Sequence, residues 1–76
     1  MSAGTRAQTV QAIIRLLAEH GDLMLEDISK RLWVSCPILL GVIDQHPRYF
    51  WHTPRAVPMG TTVVGLTGAG MAAFEG

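Results

Sequence analysis

Few of the 76 residues are of a type that does chemistry. Cys36 and three histidines, His20, His46 and His52, are the candidates for nucleophile or metal ligand. Cys36 and His46 bracket one helical stretch and stand roughly 15 Å apart along it, too far to share a metal ion. His20 and His52 complete neither a Cys-x-x-Cys nor a His-x-x-x-His spacing. No serine, histidine and aspartate are spaced to set a nucleophile beside a base. GLTGAG, from Gly65 to Gly70, lacks the lysine of a phosphate-binding loop and the long following helix that supplies its dipole, so it reads as a strand-ending turn. The expectation is a chain that is not an enzyme, with no cofactor, no metal and no small-molecule substrate.

What remains is recognition. Arg48 and Arg55 lie with His46 and His52 within ten residues that contain no acid, the one locally basic stretch of the chain. Lys30 and Arg31 are the other obvious phosphate contacts. Each follows an acid by four residues, Glu26 and Asp27 respectively, and such pairs half-neutralise the cations on their own helix. Across the chain six basic residues balance six acidic ones, whereas a dedicated nucleic-acid binder usually carries a basic excess. Apolar residues, by contrast, are in surplus. Trp33, Leu40, Trp51, Val57 and Met59 cannot all fit the core of so small a domain, and an exposed group of such residues marks a protein contact or self-association.

These side chains must be held by a single domain. Thr5 can cap a first helix over 5–20, where Val10, Ile13, Ile14 and Leu17 recur as one buried stripe and Gly21 supplies the stop. Asp22 to Met24 is a short extended link, too brief for a strand unless it pairs with one arriving later. A second helix spans 25–32 with Leu25, Ile28 and Leu32 inward. Ser35 caps a third over 36–46, with Pro37 in its first turn, Leu39, Val42, Ile43 and His46 inward and Ile38 flanking them. Leu40, Gly41 and Asp44 are left facing out, with Gln45 at the margin. Tyr49–His52 and Thr61–Thr67 read as two antiparallel strands around a loop punctuated by Pro54, Pro58 and Gly60, a β-hairpin wing over 49–67. The tail 68–76 makes at most a short closing turn, with Met71 and Phe74 over the core edge. No apolar run approaches the roughly 20 residues of a membrane span. The first residues carry no secretory signal, and a lone cysteine argues against a disulfide framework. A cytoplasmic location is expected, or a nuclear one in a eukaryote.

LEDISKRLWVS, a helix of type L-x-x-I-x-x-x-L leading through a turn into a capped helix, and the ending VVGLTGAGMAAF resemble the winged helix-turn-helix superfamily of small bacterial and phage regulators. The resemblance covers about Thr5 to Phe74. It implies an α+β fold, a three-helix core with a C-terminal two- or three-stranded antiparallel β-wing, and a regulator or accessory factor that contacts duplex DNA through the third helix and the wing. On that reading Lys30, Arg31, Ser35, Gln45, Arg48 and Arg55 bind the nucleic acid. Two features depart from the superfamily's habit. Trp33 stands where such turns often carry glycine, and because a bulky residue is strained in a left-handed conformation the turn is expected to be built differently. The outer face of the third helix offers Leu40, Gly41 and Asp44 in place of the Arg, Lys, Asn or Gln that reach base edges. A protein-interaction module using Trp33, Leu40, Trp51, Val57 and Met59 therefore stands as the alternative, and an RNA-binding winged helix as a third.

Overall fold

The computed structural model describes residues 6–54 and 57–75. Helix α1 (Arg6–His20) leads into strand β1 (Leu23–Met24), helix α2 (Leu25–Leu32), helix α3 (Cys36–Gln45) and strand β2 (Phe50–His52). A 3-10 turn (Met59–Thr61), strand β3 (Val63–Leu66) and helix α4 (Gly68–Glu75) complete an α+β fold. Thr5, the expected cap of the first helix, and Arg55, the expected tip of the wing, lie outside the described residues.

The apolar stripe of α1 is buried as its period requires: Val10, Ile13, Ile14 and Leu17 join Leu25 and Ile28 of α2, Leu39, Val42 and Ile43 of α3, and Phe50 and Val64 of the strands in one core. Gly21 takes φ 82° and donates its N–H to the Leu17 carbonyl at 2.8 Å, a left-handed C-terminal stop of the kind only glycine adopts freely. The link after it does find a partner. Leu23 pairs with Val64 and Met24 with Val63, while Phe50, Trp51 and His52 pair with Leu66, Gly65 and Val64, so the antiparallel sheet has the order β1-β3-β2. The expectation of a wing appended at the C-terminus is corrected accordingly. Its last strand lies in the middle of a sheet whose first strand precedes α2, and a helix follows it.

That helix corrects a second expectation, since residues 68–76 were to make only a short turn. Two glycines lower the helix propensity of GAGMAAFE by about 1 kcal/mol each. Two contacts offset this. The Thr67 hydroxyl accepts the Gly70 N–H at 3.1 Å as a cap, and Gly70 packs so closely on the Tyr49 carbonyl that a Cβ there would collide with it. The Thr67 hydroxyl donates in turn to the Arg48 carbonyl, which ties the start of α4 to the turn before β2.

Candidate functional site

The turn between α2 and α3 holds Trp33 in the left-handed conformation that its bulk was expected to avoid. Trp33 caps α2 in the left-handed region, φ 58° and ψ 40°, and donates its N–H to the Ser29 carbonyl at 2.8 Å. A non-glycine residue held there costs roughly 1–2 kcal/mol. The indole recovers none of this by packing, because Trp33 is 93% exposed. Strain combined with an unburied tryptophan is a combination found at recognition surfaces.

Beyond this turn α3 presents Pro37, Ile38, Gly41, Asp44 and Gln45 to solvent. Leu40 does not belong to that face: it is 3% exposed and part of the core, and Ile38, expected beside the buried stripe, is 60% exposed. Both residues sit about 100° from the centre of the stripe on opposite flanks, so helical spacing does not rank them. The neighbours of α3 do, and these are α1, α2, β2 and the Met59–Thr61 turn. The burial of Leu40 removes it from the expected protein contacts, while Met59 is half-buried against the core. Trp51 at 39% and Val57 at 99% exposure remain on the surface. Ser35 holds the extended N-cap conformation without a capping bond from its hydroxyl, and Gly41 has no heavy atom within 4 Å of where a Cβ would stand. The middle of the face is thus flat and open, and a ligand can approach the backbone there.

The charges around the face separate into held and free ones. Lys30 forms the expected pair with Glu26, 3.6 Å apart and largely solvated, worth a few tenths of a kcal/mol. The second expected pair, Asp27 with Arg31, is absent among the described contacts, and Arg31 is exposed. Arg48 is exposed just past the end of α3. Asp44, the carboxylate of the α3 face, lies 3.0 Å from His52 on β2. His52 Nδ1 sits 2.6 Å from the Thr53 carbonyl. The contact between Asp44 and His52 comes from the packing of β2 against the end of α3.

No family model, curated protein or solved structure matches the chain. Its function therefore has to be read from the surface itself. Among the described residues no three His, Cys, Asp or Glu side chains gather to hold a metal ion, and no helix is long and apolar enough to cross a membrane. Cys36 is a free, half-buried thiol at the start of α3. His46 points back along α3, its Nδ1 2.9 Å from the Val42 carbonyl, and stacks at 6.2 Å on Tyr49, so it closes the helix end.

Proposed function

We propose that the chain is a winged-helix domain that docks the outer face of α3 and the β2–β3 connection on duplex DNA, as a transcription regulator or accessory factor. The observation that carries this reading is the charge arrangement about α3: Arg31 is exposed in the last turn of α2, before the turn into α3, and Arg48 just past the end of α3, while Asp44 on α3 lies beside His52. Two cations flanking a helix can straddle a groove and contact a phosphate on either side. The order helix, strand, helix, helix, strand, strand, with a sheet of order β1-β3-β2 behind it, supports the same reading.

Fluorescence anisotropy on a labelled duplex, repeated over a salt series, tests it. Binding is expected to weaken steeply with salt, and Arg31→Ala with Arg48→Ala to abolish it at physiological ionic strength. Loss of two phosphate contacts lowers the salt slope by about 2. Absent or salt-independent binding overturns the proposal, and single-stranded RNA that outcompetes the duplex reassigns the ligand.

Trp33 favours a second reading, in which the same face meets a protein. Its strained, exposed indole and the exposed Ile38 of α3 offer apolar surface that phosphates do not need. Here Ile38→Asp should remove a partner that the arginine variants keep.

A further inference from the structure

A second surface lies on α1, away from α3. A groove of about 580 Å³ runs along the outer side of α1 beside α4, with Ala12, Leu16, Leu32 and Phe74 as its apolar lining and Arg15 and Glu19 on its rim. Phe74 remains 42% exposed in it, although it lies on the last turn of the chain's final helix. Arg15 and Glu19 are both exposed and stand four residues apart, yet form no ion pair with each other. Base before acid is the poorer orientation for an intrahelical pair, so these charges are left for another partner.

We infer that the groove is the interface of a symmetric dimer, in which α1 of a second copy lies antiparallel in it. A two-fold axis passing between Arg15 and Glu19 sets each arginine opposite the glutamate of the other chain, so one patch supplies both halves of two ion pairs. A foreign helix would have to carry the reverse pattern by coincidence. The second copy carries it by symmetry. Leu16, next to the axis, meets its own counterpart, Ala12 allows the backbones to approach, and the exposed Phe74 ring is covered. A standard interface needs roughly 800 Å² from each partner, about a sixth of the 4665 Å² surface of this chain. Gln11, Arg15 and Glu19 lie across α1 from its core stripe and no residue of α3 lines the groove, so the inference does not rest on the DNA reading.

Sedimentation equilibrium of the whole chain tests the inference. The wild type is expected at twice 8.3 kDa. Arg15→Glu and Glu19→Arg each place like charges across the axis, and each alone is expected to weaken association at least tenfold. Mixed in equal amounts the two variants are complementary, and a heterodimer is expected to form. Circular dichroism confirms that each variant is folded, as exposed positions predict. A wild type that stays monomeric up to about 1 mM, a dimer that either variant leaves intact, or a mixture that remains monomeric overturns the inference.

Discussion

The indole of Trp51 lies directly on Gly65, its register partner across β2 and β3. A Cβ built at Gly65 would stand 2.5 Å from Trp51 Cε2 and Cζ2 and would also collide with the Asp22 carboxylate. The small residue lets the ring lie flat across the central strand, where a half-exposed tryptophan covers the sheet instead of standing away from it. Glycine is otherwise a poor strand residue, and here the close approach explains it.

Gly65→Ala is accordingly expected to destabilise the fold by about 1–3 kcal/mol, the usual cost of forcing atoms into occupied space. Gly70→Ala should cost at least as much, because the obstacle is the Tyr49 backbone and cannot swing aside. Gly41→Ala is the opposite case. It adds a Cβ in open space on a helix and should stabilise by about 0.5–1 kcal/mol. Urea denaturation of the three variants checks both signs.

Leu40 and Ile38, which their spacing on α3 does not distinguish, should respond differently to truncation. Leu40→Ala removes a core side chain and is expected to cost about 2–5 kcal/mol, while Ile38→Ala should cost under about 1 kcal/mol. A Leu40→Asp variant would unfold the domain and say nothing about its surface. The midpoints of chemical denaturation separate the two residues.

Trp33→Gly should stabilise the protein by about 1 kcal/mol, since glycine occupies the left-handed region without strain and almost no packed surface is lost. If α3 or its turn meets a ligand through the indole, the same variant binds more weakly while folding better. Thermal melting and the binding assay, run on one preparation, read the two effects against each other.

The chain's own periodicity determined most of its architecture. The stripes Val10, Ile13, Ile14 and Leu17, then Leu25 and Ile28, then Leu39, Val42 and Ile43 mark three helices and their buried sides. Hydrogen bonding within a helix is local, and the 3.6-residue repeat is written in the residues themselves. The breaks at Gly21 and Pro47 and the strand segments near Phe50 and Val64 are legible for the same reason.

Only the tertiary structure decided what lay between those certainties. Leu40 and Ile38 are equivalent on a helical projection, and the neighbours that close over one flank bury the first. Leu23 and Met24 become a strand because β3, forty residues later, offers its free edge. Gly70 fits in α4 because the Tyr49 backbone stands where a Cβ would be. Each of these depends on residues distant in the chain coming together, and a local pattern carries no information about a neighbour that arrives from elsewhere.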